Sequence, residues 1–208
     1  MQKIKNVIFD LGGVVLNIDI NAVALLLGEM GVDVVQLFNN QAVKDILADF
    51  ETGRIDTAAC RSAMRKHLGN ILTNDDDFDA VWNAILLDFP KDRVDFLLEL
   101  RKKYPVYLLS NTNRLHYDKF TSDFFMRFCF PFDSLFTQAF YSFRMGLVKP
   151  DAEIFRTVIH QTSINPEETL FIDDNAENTR SAACVGLQTL TLARNGGWEQ
   201  LIAMLDEL

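Results

Sequence analysis

Three apolar runs in this chain end abruptly on polar residues whose types could transfer a phosphoryl group. IKNVIF runs into Asp10, PVYLL into Ser110 and Asn111, and TLFI into Asp173 and Asp174. The carboxylate of Asp10 is ionised at neutral pH without assistance and can attack phosphorus, giving an acyl phosphate that water later hydrolyses. A phosphate dianion repels that carboxylate, so a cation must stand between them. Asp10 and Asp174 can share Mg²⁺ with a backbone carbonyl at Gly12, leaving the other octahedral positions to water and a phosphate oxygen, while Asp173 acts through a bound water. Ser110 and the amide of Asn111 can donate hydrogen bonds to phosphate oxygens, and Lys149 brings a mobile positive charge to the same oxygens and to the nucleophile. Pro150 and Asp151 follow that lysine as a helix opening, which fixes where its stem begins.

These residues converge only if the intervening elements bring them together. Strand-like runs at 4–9, 105–111, 169–175 and 188–192 alternate with helix-like stretches, among them KDRVDFLLELRKKY, Asp151 to Thr162 and the closing NGGWEQLIAMLDEL. Such alternation predicts a parallel sheet flanked by helices, with ligands bound beyond the carboxyl ends of the strands. Between residues 17 and 89 the pattern changes to helical periods alone, at about 21–30, 33–49, 56–69 and 76–87, with Asp56 as a helix N-cap. The expected architecture is therefore an α/β, Rossmann-like core formed by 1–16 and 90–208, carrying an inserted helical bundle at 17–89 as a cap.

With 208 residues, 49% apolar and 24% charged, the chain has the material for a full core plus an inserted unit. Its formal charge of -9 repels nucleic acid and anionic membrane, so a small-molecule partner is expected instead. Cys60, Cys129 and Cys184 show neither metal-ligand spacing nor a disulfide framework, and the N-terminal run is broken by Asp10. We expect no signal peptide, no membrane helix and a reduced, cytoplasmic setting. Oligomeric state is left open.

FDLGGVV, LLSNTN, LVKPD and FIDDNAEN, in this order and spacing, resemble the four motifs of the haloacid dehalogenase superfamily of phosphohydrolases, and the helical insert resembles the cap of its phosphatase subfamilies. SNTNRLH and DDNAEN are similar to the bacterial alpha-D-glucose-1-phosphate phosphatase branch. The resemblance spans nearly the whole chain. It implies a Mg²⁺-dependent phosphatase acting on a small phosphorylated metabolite, such as a sugar phosphate like glucose 1-phosphate. By the same resemblance Asp10 is the nucleophile, Asp10 and Asp174 are magnesium ligands, and Ser110, Asn111 and Lys149 hold the phosphate.

One position departs from the pattern. Most phosphatases of the superfamily carry an acid two residues after the nucleophile, where this chain has Gly12, and losing a general acid and base costs about 10² to 10⁴ in rate. Asp19, His116 and Glu51 are possible replacements, on the cap hinge, a core loop and the cap. Two other readings accommodate the glycine: a haloacid dehalogenase, whose halide leaving group needs no proton, and a phospho-ligand-binding or regulatory module with impaired turnover. The acidic pair Asp173 and Asp174 argues against the dehalogenase, since displacing halide needs no Mg²⁺. A phosphonatase would need a cap lysine, and Lys44 and Lys66 read as solvated. Within the cap, FETGRID places Gly53 and Arg54 in an interhelical turn from which Arg54 can reach toward the substrate. Trp82 falls on an apolar helix face with Phe78 and Ile85, as core residues do.

Overall fold

The computed structural model describes residues 3–69 and 71–206. The chain begins with strand β1 (Asn6–Phe9) and continues through five helices, α1 (Ala22–Glu29), α2 (Val34–Asn39), α3 (Gln41–Glu51), α4 (Thr57–Leu68) and α5 (Asp75–Asn83). It then passes through α6 (Lys91–Leu100), β2 (Val106–Ser110), α7 (Arg114–Phe128), β3 (Gln138–Tyr141), the single turn α8 (Ser142–Met145) and α9 (Ala152–Thr162). The last elements are β4 (Thr169–Asp173), α10 (Ala176–Cys184), β5 (Gln188–Thr191) and α11 (Trp198–Asp206). Residues 207 and 208, the end of the expected closing helix, lie outside the described residues.

The five strands form one parallel sheet in the order β3-β2-β1-β4-β5. Parallel strands are covered on both faces, which is why β2 and β4 are buried along their whole length and read as unbroken apolar runs. Alternation along β1 still decides which layer each side chain enters. Val7 and Phe9 join Leu97, Phe120 and Trp198 on one face, whereas Ile8 joins Ile154, Phe155 and Val158 on the other. The register pairs Phe9 with Ile172 and Leu108, so β1, β2 and β4 finish side by side and release Asp10, Asn111 and Asp174 at one edge.

Helices α1 to α5 enclose a third apolar cluster, built on Leu27, Leu37, Val43, Phe50, Met64, Phe78 and Val81. The chain leaves and re-enters the α/β layer through two adjacent segments. Asn17 bonds Asp88 and Leu87, and the Asp19 N–H donates to the Ile85 carbonyl, with Ile18 opposite Leu86 in an antiparallel bridge. That pairing ends α5 at Asn83, short of the expected 87. The single helix expected over 33–49 is two, because Asn40 adopts an extended conformation and its side chain caps α3 by accepting from Ala42 N. Strand β3 and helix α7 are additions to the expected elements. Asp56 caps α4, accepting from Ala59 N.

The turn after α3 seats the cap on the core. Gly53 has φ of +69°, and a Cβ there would lie 2.0 Å from the carbonyl oxygen of Phe143 in α8. Gly31, with φ of +86°, has open space around the same position. Gly31→Ala therefore adds backbone strain alone, about 1–2 kcal/mol, whereas Gly53→Ala adds a collision with backbone. Chemical denaturation should show Gly53→Ala to be the more destabilising by at least about 1 kcal/mol; equal losses would contradict this docking contact.

Candidate active site

The carboxyl edge of the sheet holds a buried ion cluster. Lys149 Nζ donates to Asp10 Oδ1 at 2.6 Å, to Asp173 Oδ2 at 2.8 Å and to the Leu109 carbonyl at 2.9 Å. All three ammonium protons are thus engaged, as full burial of this side chain requires. Burial acts to lower the Lys149 pKa, but the facing charges of Asp10 and Asp173 outweigh it and hold the ammonium above its usual range. Asp10 is pushed the other way: desolvation raises its pKa to about 7 against the opposing pull of Lys149, and the nearby Asp173 charge adds to the rise.

The remaining predicted residues divide by what they already touch. Asp173 accepts four hydrogen bonds, from Lys149 Nζ, from Asn175 N and from Asn178 Nδ2 to each of its oxygens. It is a fixed anion that positions Lys149. Asp174 pairs with the half-exposed guanidinium of Arg194. Asn111 uses its whole side-chain amide on the backbone of Lys149, donating to the carbonyl at 2.8 Å and accepting from the N–H at 2.9 Å. It thereby fixes the start of the lysine stem. Ser110 is buried at the end of β2, its hydroxyl 3.4 Å from the Asn111 carbonyl. Next to it, Thr112 and Ser142 exchange two bonds that tie the loop after β2 to α8.

A divalent cation fits this edge. One carboxylate oxygen from each of Asp10, Asp173 and Asp174 lies within 4.8 Å of the others. Octahedral ligands about 2.1 Å from Mg²⁺ stand roughly 3–4 Å apart, so a small closure suffices. Gly13 makes room for it: with φ of +77°, its Cβ would fall 2.6 Å from Asp174 Oδ2, in the space this carboxylate needs. Gly12 sits between the bonds that Leu11 and Gly13 make to Leu16, so its own carbonyl lies outside that bridge. With Asp173 already accepting four hydrogen bonds, Asp10, Asp174 and the Gly12 carbonyl are the candidates for the donor set.

Above the loop after β2 lies a cavity of about 290 Å³, floored by Asn111, Thr112, Asn113 and His116 of the core and roofed by residues of the inserted helices including Phe50, Glu51 and Trp82. Trp82 thus does two things, stacking on Phe78 at 5.7 Å and lining the cavity. Arg54 is not brought here: it is more than half exposed, bonded to Asp49 on its own turn, and absent from the cavity wall. Asn178 and Arg194 are additions to the site. Asn178 sits in the DDNAEN run, where its spacing from Asp173 is that of a first helical turn folding back on its own start; Arg194 carries no local signal.

The raised pKa of Asp10 has a consequence for stability. A carboxyl at about 7 folded and near 3.8 unfolded contributes fully only below 3.8, and that contribution is lost as pH rises toward 7. In protein stripped of divalent cations, Asp10→Asn should therefore raise the melting temperature, by about 2–4 °C for each kcal/mol relieved. The gain should be greatest above pH 7 and shrink toward pH 4. A variant less stable than wild type at pH 8 would contradict this reading of the cluster.

Residues 4–186 match the family of haloacid dehalogenase-like hydrolases. The D-ribitol-5-phosphate phosphatase of Bacteroides thetaiotaomicron is 29% identical over 97% of this chain and 98% of its own length. A crystal structure of a haloacid dehalogenase (HAD) family enzyme from the same organism is 35% identical, with TM-score 0.90 over 97% of this chain and 99% of that one. The wild-type form of that enzyme in complex with magnesium and inorganic phosphate superposes with TM-score 0.87 at 35% identity, over 95% and 98% of the two chains. Such agreement along almost the entire length, around an aspartate, a lysine and an acidic pair at the strand ends, makes this chain a haloacid dehalogenase-like hydrolase.

Proposed function

We propose that this hydrolase is a Mg²⁺-dependent phosphatase of small phosphorylated metabolites, with Asp10 as nucleophile. The observation that carries the reading is the placement of Asp10: buried, held by Lys149 and grouped with Asp173 and Asp174 as a cation site. A HAD relative 35% identical over nearly the whole chain, crystallised in complex with magnesium and inorganic phosphate, supports magnesium-dependent phosphate chemistry here. Asp10, Asp174 and the Gly12 carbonyl would hold the ion, which when bound supplies the positive charge that lets carboxylate and phosphate approach. Ser110 Oγ and the Asn111 N–H would orient the phosphate so that one Asp10 oxygen faces phosphorus opposite the leaving alcohol. Lys149, already beside Asp10, stabilises charge as it builds on the phosphate oxygens. Asp173 and Asn111 act through Lys149, one on its ammonium and one on its backbone. The product of the first step is an acyl phosphate on Asp10, and water releases inorganic phosphate from it in the second.

The alcohol that carries the phosphate occupies the cavity under the cap, whose apolar wall and few polar groups suit a small polyol or sugar. Ribitol 5-phosphate, the substrate named for the 29%-identical relative, and glucose 1-phosphate head the compounds to test. The free thiols of Cys60, Cys129 and Cys184 suit a reducing cytoplasm as the compartment.

A screen of sugar and polyol phosphates with and without Mg²⁺ tests the proposal. We expect phosphate release that chelation abolishes and Mg²⁺ restores, with Asp10→Asn inactive while still binding ligand. Absence of turnover on every compound, or turnover that survives Asp10→Asn, would overturn it.

A further inference from the structure

Resting on the phosphatase reading, we propose that Glu51 of the cap is the general acid and base of the reaction, in place of the side chain that Gly12 lacks. Gly12 has no side chain to carry a proton, and a Cβ there would stand 3.3 Å from the tip of Ile18. The proton must come from elsewhere around the leaving group. Asp19 is excluded by place: it accepts from Asn21 N at 2.9 Å in the turn ahead of α1 and does not line the cavity. His116 is excluded by its bonds. Its Nε2 lies 3.1 Å from the Trp82 carbonyl, which can only accept, so Nε2 carries the proton and Nδ1 accepts from the Asn113 amide at 3.1 Å. Burial lowers its pKa to about 4, and the ring stays neutral with both nitrogens committed.

Glu51 remains, and the fold aims it. It is the last residue of α3, two positions before Gly53, whose contact with Phe143 pins that end of the cap to the core. Phe143 follows Ser142, which is bonded twice to Thr112 in the phosphate loop. Glu51 therefore lines the same cavity as Asn111 and Thr112, the space that the proposed function gives to the leaving alcohol. Among the residues lining this cavity, His116 is the other titratable group, and it is neutral. Desolvation raises the Glu51 pKa above the ordinary carboxyl range, which favours the acid form at the start of the cycle.

The steps balance. As an Asp10 oxygen bonds to phosphorus and the bond from phosphorus to the leaving oxygen breaks, Glu51 gives its proton to that oxygen and the alcohol departs neutral. The resulting carboxylate then takes a proton from water as the water oxygen attacks phosphorus. The bond to Asp10 breaks, phosphate leaves, and Glu51 is again protonated.

Leaving groups separate this role from a merely structural one. Glu51→Gln should lower kcat/KM for an alkyl or sugar phosphate by about 10²-fold or more, yet change kcat/KM for p-nitrophenyl phosphate by less than about threefold, since the phenolate needs no proton. On the second compound kcat should still fall, with phosphorylated enzyme accumulating, because the base for water is gone. Normal p-nitrophenyl phosphate kcat/KM also shows that the variant is folded. Equal losses of kcat/KM on both compounds, or a change confined to KM, would overturn the assignment to Glu51 and leave the phosphatase reading intact. Wild-type protein inactive on both compounds would overturn the two together.

Discussion

The ammonium of Lys149 lies between carboxylates carried by two neighbouring strands and caps the carbonyl end of a third. Taking three charges out of water is expensive, and an ion cluster of this kind stabilises a fold poorly compared with apolar packing of the same volume. Its retention at the sheet edge makes sense as preorganisation. The lysine keeps Asp10 close to the charge it will need during reaction, and the unmatched negative charge of the acidic trio awaits a cation. Burial and the neighbouring Asp173 charge hold Asp10 toward protonation, which a bound cation would reverse. Everything nearby holds the lysine in place: Asn111 clasps its backbone, and Asp173, itself fixed by Asn175 and Asn178, fixes its tip.

The same edge receives the cap, and close backbone approach decides both junctions. Gly13 lets the Asp174 carboxylate come against the turn after β1, and Gly53 lets the cap turn come against Phe143. The first contact shapes the cation site. The second sets the height of the inserted bundle over the loop after β2, and with it the 290 Å³ cavity between them. The buried ion cluster sits on the sheet, and the inserted bundle has an apolar core of its own.

Much of this was legible in the sequence because parallel strands buried on both faces leave continuous apolar runs, and their polar ends mark the site. β1, β2, β4 and β5 all lie within the runs that foretell them. β3 was not legible: an edge strand of QAFY, exposed at Gln138 and buried at Tyr141, has neither a continuous run nor clear alternation. α7 is blurred by Phe125 and Met126, large apolar residues on its exposed side, beside the buried Phe120 and Phe124. The break at Asn40 left a trace in the adjacent asparagines, residues that cap helices better than they continue them. At the site, residue types foretold the cluster but not its internal bonds. Nothing local reveals that Asn111 spends its side chain on Lys149, that Arg194 covers Asp174 or that Arg54 turns away to Asp49, since each depends on elements brought together by the fold or on a choice among partners of one charge.

In the proposed reaction Asp10 itself takes the phosphoryl group. Acid quenching of the enzyme during steady turnover with Mg²⁺, followed by peptide mass spectrometry, tests this directly. One added phosphoryl group is expected on the peptide that contains Asp10, located at that residue. Steady phosphate release with Asp10 unmodified, or with the group on another side chain, would contradict it.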